Sequence, residues 1–515
     1  MLENKSRFII NAAIVILFEI KHPHTKIIMF FFSNKISEFI KKLLISMQCS
    51  ELQTIPFPHF NATKWSKITE ILKVFSSCQI TTYSSFETHL LNLYNLSHES
   101  QCLAFKTLSM FFLKNPPIIK DFFTKTLPFI ANLALEMPQL FPEPMFLLLQ
   151  NQSREIQLNK RQVACFIVHM FFGTFSKIEE NENTHDLVNF QFILENDYPI
   201  TLQKLFFIFN YFSRLESNQI DFSLTVSYIR IMNKEKSFEN WLGSEANLLE
   251  VKVFDEGGID DFYENSIQVD FANKYIGGGS LYTGCVQEEI RFIISPECLP
   301  SMVMFESLKK NEAAYIIGAE QFSKYKGYAW DLEFAGDFHD KKPSVDSEKR
   351  MDVNILALDA IFFKGVGVKS EQYSEANLLR ELNKAFIGFR GDEKLLKFDK
   401  HKKWIATGRW GCGAFNGISQ LKFMIQWIAA AESGKNMMFY RKGDVVLYYA
   451  EEVVEALKGK RVGDVIRTIH RFSQNEEKDL FKFILKEYLN LEVMEGQHLA
   501  AKCGKFDTLT KILKN

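Results

Sequence analysis

The spacing of apolar residues changes near residue 222 and divides the chain into two kinds of secondary structure. Between residues 61 and 215 apolar side chains recur at steps of three and four, as at Ile68, Leu72 and Phe75. This period is typical of amphipathic helices and predicts an all-α region. Beyond Phe222, short β-rich runs alternate with helical patterns, which indicates an α/β sheet covered by helices on both faces.

The predicted elements of the second half indicate where a ligand would bind. The predicted strands are residues 249–254, 267–271, 302–305, 313–317 and 353–358. The predicted helices are residues 287–294, 375–386 and 421–432, followed by helical patterns over residues 445–489. Ligands of such sheets bind in loops at the carboxyl ends of strands, so we expect the chemistry in the loops that follow these runs.

These patterns predict four segments. We expect a helical domain over residues 51–222, an α/β domain over 223–490 and a helical tail over 491–515. Residues 1–50 are interpreted as a leader or a peripheral apolar segment. Their apolar run over residues 8–20 contains Glu19 and lacks a small-residue cleavage site, and it is shorter than the roughly 20 residues of a membrane span. A secretion signal is therefore disfavoured.

Charge and cysteine content exclude several classes of function. Lys and Arg number 61 and Asp and Glu 62, so no excess of positive charge is available for binding duplex DNA. The 8 cysteines form no C-x-x-C pair, which argues against a zinc site or a disulfide framework. We therefore expect an intracellular protein in a reducing compartment, without a metal.

The most informative segment is the loop between a predicted strand and a predicted helix within residues 268–292. Three consecutive glycines stand in this loop: Gly277, Gly278 and Gly279. The helix begins near Val286 and carries Gln287, Glu288 and Glu289 in its first turn. Glycines let backbone N–H groups approach a diphosphate closely, and a helix N-terminus adds unpaired donors. The loop therefore predicts an anionic ligand.

Two acids beside an anion site would repel phosphates unless they perform another task. On their own, Glu288 and Glu289 would also be explained by the favourable field of the helix N-terminus. Next to three glycines they favour glycosidic chemistry on a nucleotide-sugar, where a carboxyl group must protonate a leaving oxygen. Such an acid keeps its proton through burial or a neighbouring carboxylate. Adjacent helical residues point about 100° apart, so the two glutamates must have different tasks.

The residues of this segment carry a resemblance to a known family. V-D-F-A-N followed by G-G-G and, after a short spacer, Q-E-E resembles the signature of poly(ADP-ribose) glycohydrolases. Other segments of the chain are similar to that family: Gly258-Ile259-Asp260, Gly327-Tyr328-Ala329, Gly408 to Phe415, Asp359, residues 381–385 and residues 426–431. The resemblance covers roughly residues 249–444.

The resemblance implies a fold and an activity. The fold would be α/β, a macrodomain-like mixed sheet flanked by helices with an ADP-ribose cleft, preceded by an N-terminal all-α accessory region. The activity would be hydrolysis of the ribose–ribose O-glycosidic bond of poly(ADP-ribose), mainly from the exposed chain end, releasing ADP-ribose without a cofactor. The partners would be the polymer and poly(ADP-ribosyl)ated proteins, in the nucleus or cytoplasm. Duplex DNA, membranes and a second copy of the chain are not expected as partners.

The resemblance also assigns roles around the predicted acids. Glu289 would be the general acid, and its conjugate base would activate water. Glu288 would hold ribose hydroxyls, and Asp270 would support the site. Asn273 and Gln287 would make polar contacts to the ligand.

Further roles concern the nucleotide. Ile259 and Asp260 would flank adenine, and Tyr328 would stack on the ligand. The backbone of two loops would wrap the diphosphate: Gly277, Gly278 and Gly279 in the first, and Arg409, Trp410, Gly411, Cys412, Gly413, Ala414 and Phe415 in the second. Cys412 is interpreted as structural, since no histidine lies near it in the sequence and the family uses carboxylates.

Two positions depart from the family pattern. Arg409 stands where Asn is common, and Lys442 stands where an aromatic residue is expected before Gly443-Asp444. Ligand contacts at these positions would be ionic, which bears on affinity and chain-end preference.

Two other functions remain open on the sequence. A non-catalytic ADP-ribose reader would use the cleft without cutting, but simple reader macrodomains have no need of the Q-E-E pair. A helical interaction protein would explain the first half and leave the glycine and acid cluster unexplained.

Overall fold

The computed structural model describes residues 53–97, 104–176, 183–184, 188–261, 265–339, 344–364, 369–396 and 402–489. The predicted leader over residues 1–50 and the predicted tail over residues 491–515 lie outside these ranges. The described residues from Ile55 onward belong to one compact unit.

Helices dominate the chain up to residue 216. They are Ala62–Ser76 (α1), Tyr83–Ser97 (α2), Lys106–Lys114 (α3), Pro116–Asp121 (α4), Leu127–Leu135 (α5), Met137–Leu140 (α6), Lys160–Phe171 (α7), Gln191–Glu195 (α8) and Pro199–Glu216 (α9). Phenylalanine rings fill the space between them: Phe122 lies 5.2 Å from Phe112 and 5.0 Å from Phe209 between ring centroids. Burial of these rings supplies much of the stabilisation of this region.

Ten strands lie among the described residues. They are Arg154–Asn159 (β1), Thr225–Met232 (β2), Val251–Phe254 (β3), Ser266–Asp270 (β4), Glu312–Ile317 (β5), Ser323–Lys326 (β6), Glu333–Asp337 (β7), Asn354–Ala357 (β8), Trp404–Gly408 (β9) and Asn436–Tyr440 (β10). Eight of them form one sheet in the order β1-β2-β5-β8-β4-β9-β10-β3, and β6 pairs with β7 as a separate hairpin.

The large sheet is mixed. The pairs β1–β2, β2–β5 and β5–β8 are antiparallel. The pairs β8–β4, β4–β9, β9–β10 and β10–β3 are parallel. Because β4 and β9 are parallel neighbours, the loops that follow them leave the same edge of the sheet. That edge is where the predicted site residues are concentrated.

Helices cover the sheet. Beyond β2 they are Phe238–Leu242 (α10), Gln287–Ile294 (α11), Ser301–Met304 (α12), Lys369–Gln372 (α13), Glu375–Arg390 (α14), Glu393–Leu396 (α15), Ser419–Glu432 (α16), Ala450–Leu457 (α17), Val462–Ser473 (α18) and Leu480–Leu489 (α19). One apolar core joins the helical region to α11 and to side chains of β2, β5 and β8. A second core lies between the sheet and α14, α16 and α18. The predicted α/β class, a mixed sheet flanked by helices after a helical region, is confirmed.

Two local predictions are wrong. Residues 302–305 are predicted as a strand, but α12 occupies Ser301–Met304 and follows a turn in which the Ser301 hydroxyl donates to Cys298 O at 2.7 Å. A four-residue apolar run does not distinguish a buried strand from a buried helix. Residues 154–159 are predicted within the all-α stretch, but they form β1, whose Ile156 and Leu158 alternate with more exposed neighbours.

In the part of the chain that the structure describes, no helix is both long enough and apolar enough to cross a membrane.

Candidate active site

A cleft of about 630 Å³ opens at the edge of the sheet where β4 and β9 end. Its walls are the start of α11, the hairpin of β6 and β7, and the loop after β9. It is lined by sixteen of the eighteen predicted site residues: Ile259, Asp260, Asp270, Asn273, Gly278, Gly279, Gln287, Glu288, Glu289, Tyr328, Arg409, Trp410, Gly411, Gly413, Ala414 and Phe415. Gly277 and Cys412 do not line the cleft.

The first turn of α11 folds its side chains back onto the loop after β4. Gln287 Oε1 accepts the Phe271 N–H at 2.7 Å. The Glu288 carboxylate accepts N–H groups of Asn273 at 2.9 Å and of Gly277 at 2.6 Å. The Q-E-E motif therefore shapes the loop as well as facing the cleft.

Glu289 has a comparable set of backbone donors. Its Oε1 accepts the Gly279 N–H at 2.9 Å, and its Oε2 accepts the Val286 N–H at 3.0 Å. The second contact is the return bond that an acid at the third helical position makes to the residue before the helix. Only 7% of Glu289 is exposed, and it lines the cleft. The carboxyl group is thus held in one orientation with limited access to water.

The three glycines make this arrangement possible. Gly277 and Gly278 have φ of +89° and +47°, which glycine adopts without steric cost. A Cβ at Gly278 would lie 2.6 Å from Glu288 Oε2 and from Glu289 Oε1. The sequence predicts that the amides of this loop bind a diphosphate. In the structure they are used within the protein, because Gly277 and Gly279 donate to the two glutamates and Gly278 donates to Tyr275 O at 3.1 Å.

Asp270 lies at the end of β4 with 1% of its surface exposed. Neither of its carboxyl oxygens has a hydrogen-bond partner among the described residues. Burial raises the pKa of Asp270 to about 8, with the Arg291 charge opposing and the Glu289 charge adding to the shift. Burial, followed by the charges of Asp270 and Glu289, also raises the pKa of Glu288 well above its ordinary value. Asp270 and Glu288 therefore keep protons at a pH where isolated carboxyl groups lose them.

Lys204 of α9 is a residue of the site that sequence reasoning misses. Its buried Nζ donates to three carbonyl oxygens of the first loop, Gly279 O at 3.1 Å, Ser280 O at 2.8 Å and Tyr282 O at 2.7 Å. The available signal is a lysine at a position that the helical period assigns to the core, since charged side chains are rarely fully buried without a partner.

The second loop, after β9, differs in its hydrogen bonding. Among the described residues, the N–H groups of Gly411, Gly413, Ala414 and Phe415 donate no hydrogen bond. A Cβ at Gly413 would meet no atom within 4 Å. A loop with unused amide donors beside an open cleft is suited to bind an anion.

Side chains of this loop serve to hold it. Trp410 is buried, and its Nε1 donates to Leu358 O at 2.8 Å. Lys422 Nζ lies 4.2 Å from the centroid of the Trp410 ring and forms an ion pair with Glu381. Burial raises the pKa of the Cys412 thiol to about 12, so it remains protonated near neutral pH. This is in keeping with the structural role predicted for Cys412.

The remaining predicted residues lie along the cleft. Tyr328 lines it with 56% of its surface exposed, and Ile259 and Asp260 lie in a 3-10 turn, Ile259–Asp261. Arg409 Nε contacts Asp444 Oδ2 at 2.9 Å, and Lys442 Nζ donates to Gly257 O. Phe271 of the V-D-F-A-N motif also lines the cleft, and four further side chains there belong to no motif identified in the sequence: Gln268, Arg291, Tyr325 and Tyr440.

Two family models match the chain. The model described as "Poly (ADP-ribose) glycohydrolase (PARG), helical domain" matches residues 116–230, and the one described as "Poly (ADP-ribose) glycohydrolase (PARG), Macro domain fold" matches residues 238–448.

Curated proteins give the same picture. Poly(ADP-ribose) glycohydrolase 1 of Caenorhabditis elegans is 35% identical over 342 residues, which is 65% of this chain and 42% of that protein. Poly(ADP-ribose) glycohydrolase 2 of Caenorhabditis elegans is 31% identical over 376 residues, 71% of this chain and 74% of that protein. Poly(ADP-ribose) glycohydrolase 1 of Arabidopsis thaliana is 29% identical, covering 69% of this chain and 78% of that protein. The chain belongs to the poly(ADP-ribose) glycohydrolase family, and its α/β part has the macrodomain fold.

Proposed function

We propose that the protein hydrolyses the ribose–ribose O-glycosidic bond of poly(ADP-ribose), mainly at the exposed end of the chain, and releases ADP-ribose. The observation that carries this proposal is the position of Glu289, which lines the cleft beside buried acids and shares that cleft with a loop of unused amides. Poly(ADP-ribosyl)ated proteins in the nucleus or cytoplasm are the carriers of the polymer that we expect the protein to meet.

Glu289 performs the proton transfers in this proposal. Its carboxyl group gives a proton to the ribose oxygen that leaves as the glycosidic bond breaks, and positive charge develops on the anomeric carbon. The Glu289 carboxylate then takes a proton from water as that water adds to the carbon. The N–H groups of Gly279 and Val286 stabilise the carboxylate between these two steps. Proton uptake from the water restores the acid form of Glu289, and Asp270 and Glu288 are the neighbouring buried acids that support the site.

The substrate is oriented by the other walls of the cleft. The unused amides of Gly411, Gly413, Ala414 and Phe415 bind the diphosphate, and Tyr328 stacks on the ligand. Ile259 and Asp260, which also line the cleft, flank adenine. Glu288 keeps the first loop closed and presents its cleft-facing side to ribose hydroxyls, and Asn273 and Gln287 make further polar contacts.

Arg409 and Lys442 give the cleft two cations. Arg409 forms an ion pair with Asp444, whereas the Lys442 ammonium contacts a backbone carbonyl oxygen and has no carboxylate partner among the described residues. Both supply ionic contacts to phosphate groups of the polymer, which strengthens binding at low salt.

The test is release of ADP-ribose from a defined poly(ADP-ribose) chain, with the affinity for ADP-ribose measured by calorimetry. Loss of the general acid in Glu289→Gln is expected to slow turnover by roughly a hundredfold or more while ADP-ribose still binds. Glu297→Gln is the control, because Glu297 is a fully buried glutamate outside the cleft. Tight binding without turnover by the parent protein would refute hydrolysis and leave a reader of ADP-ribose.

A further inference from the structure

Lys204 reaches from the helical region into the first loop of the cleft. We infer that Lys204 is a positioning residue of the glycosidic reaction, which fixes the turn from Gly279 to Gly284 around Glu289. The inference rests on the proposed function of Glu289. In this inference a residue of the helical region positions the catalytic acid of the macrodomain.

The contacts of Lys204 match the chemistry of an ammonium group. An ammonium has three N–H donors and no acceptor. Lys204 Nζ lies 3.1 Å from Gly279 O, 2.8 Å from Ser280 O and 2.7 Å from Tyr282 O, so each donor has one carbonyl oxygen. Three carbonyls directed at one buried atom define the curvature of this turn.

The same turn carries one of the backbone N–H groups that donate a hydrogen bond to Glu289. The Gly279 N–H donates to Glu289 Oε1 at 2.9 Å, while the carbonyl of Gly279 accepts from Lys204. On its other side the turn closes through the Gly284 N–H, which donates to Gly279 O at 3.1 Å. A Cβ at Gly284 would lie 2.8 Å from Glu289 Cδ, so the turn is packed against the carboxyl group. Movement of the turn therefore moves the surroundings of the acid.

The charge of Lys204 also favours a role beyond anchoring. Lys160, a second buried lysine of the helical region, forms ion pairs with Glu297 at 3.2 Å and Glu320 at 2.9 Å. Lys204 forms no such ion pair among the described residues, and the carboxyl group whose charge acts on it is that of Glu289. Burial lowers the pKa of Lys204 to about 7, and the charges of Glu289 and Cys285 oppose that shift. A protonated Lys204 thus stabilises the carboxylate that Glu289 becomes after it donates its proton.

The experiment compares Lys204→Met with Lys160→Met in the full chain. Amide hydrogen exchange is followed over residues 277–284, and turnover of poly(ADP-ribose) and the affinity for ADP-ribose are measured on the same samples. For Lys204→Met we expect exchange in the loop to rise at least about tenfold and turnover to fall by about a hundredfold, since small misplacements of catalytic groups cost that much. ADP-ribose affinity is expected to change by less than about threefold, because the second loop binds the diphosphate.

Lys160→Met is expected to lower the free energy of unfolding without changing loop exchange or turnover of the folded protein. Lys204→Arg keeps the charge and the donors, and it should recover more loop protection and turnover than Lys204→Gln. If Lys204→Met does not fold, the comparison of Lys204→Arg with Lys204→Gln tests the inference instead.

Unchanged loop exchange in Lys204→Met beside an active parent protein would overturn the inference alone. Faster loop exchange with turnover intact would also overturn it, because the turn would then not position the acid. A parent protein without turnover would overturn the proposed function, and the inference with it.

Discussion

The two glycine-rich loops of the cleft look alike in sequence and differ in what their backbone does. In the first loop the N–H groups of Gly277, Gly278 and Gly279 are all used within the protein, two of them on Glu288 and Glu289. In the second, the N–H groups of residues 413–415 donate no hydrogen bond to a described residue. Glycine in the first loop therefore allows the backbone to pack closely around the acids. In the second loop it leaves N–H groups open to the cleft, where an anion can reach them.

The buried acids beneath the two loops also differ, because those beneath the second loop form ion pairs. Under the first loop, Asp270 has no hydrogen-bonded partner among the described residues, and burial raises its pKa to about 8. Under the second, Glu381 forms an ion pair with Lys422, and Asp359 forms one with Lys384 at 2.6 Å. The first loop thus lies over acids that carry protons, and the second over paired charges.

The largest effect is expected from Gly278→Ala in the first loop. A methyl group there would force both glutamates away, because a Cβ would lie 2.6 Å from an oxygen of each. We expect turnover of poly(ADP-ribose) to fall by about a hundredfold or more. Gly434→Ala is the control, since Gly434 also has a positive φ, +70°, but a Cβ there meets nothing within 4 Å. Equal turnover in the two variants would show that the first loop does not hold the acids.

A second prediction concerns the pH dependence of stability. The folded protein keeps the proton of Asp270 up to a pH of about 8, whereas the unfolded chain loses it near its ordinary pKa of about 3.9. This carboxyl group therefore contributes stability that is complete below about pH 4 and is lost progressively as the pH rises from there to about 8.

Asp270→Asn removes that dependence. Between pH 5 and 8 we expect the wild-type free energy of unfolding to fall by about 3 to 4 kcal/mol relative to the variant, as measured by urea unfolding. Asp359→Asn is the comparison beneath the second loop, where Asp359 is ion-paired. A constant difference between wild type and Asp270→Asn over this pH range would contradict the prediction.

The third prediction is a steric probe of the second loop. Gly413→Ala adds a methyl group where the protein has no atom within 4 Å, so the free energy of unfolding should not change. If the loop holds the diphosphate, the methyl group meets the ligand, and ADP-ribose affinity should fall about tenfold. Calorimetric titration with ADP-ribose measures it. Unchanged affinity would place the diphosphate elsewhere in the cleft.

The smallest effect is expected at Lys442. This exposed cation lines the cleft, and an exposed charge contributes little to binding. Lys442→Gln should weaken ADP-ribose binding by about threefold at low salt and by less at high salt. Lys458→Gln is the control, because Lys458 is exposed and lies outside the cleft. A salt-independent loss of affinity would argue against an ionic contact at Lys442.

The strand–loop–helix unit of residues 266–294 was accessible from the sequence because its parts are close along the chain. The glycines, the acids and the start of α11 follow one another, so their proximity needs no tertiary information. The direction in which each backbone N–H of the loop points could not be predicted from the sequence. Whether the Gly279 N–H points to a ligand or to Glu289 depends on the fold of the whole loop.

Contacts between residues that are distant in the sequence were harder to predict from the sequence. Lys204 meets Gly279 across 75 residues, and the sequence shows only a lysine in an apolar helix. The strand β1 was missed because the helical pattern on both sides of it outweighed a short alternation. Local spacing predicted the class of fold and the proximity of the acids to the glycine loop, and tertiary packing determined how the acids are held.

The strand β1 has a consequence for how the molecule can be divided. It is the outermost strand of the large sheet, it pairs with β2 over residues 154–159, and it comes from the middle of the helical region. A fragment that begins at residue 223 would lack this strand and leave one edge of β2 unpaired, while its other edge stays paired with β5. Unpaired strand edges recruit other chains. We therefore expect the isolated macrodomain to self-associate, with the helical region acting as its built-in protection against aggregation.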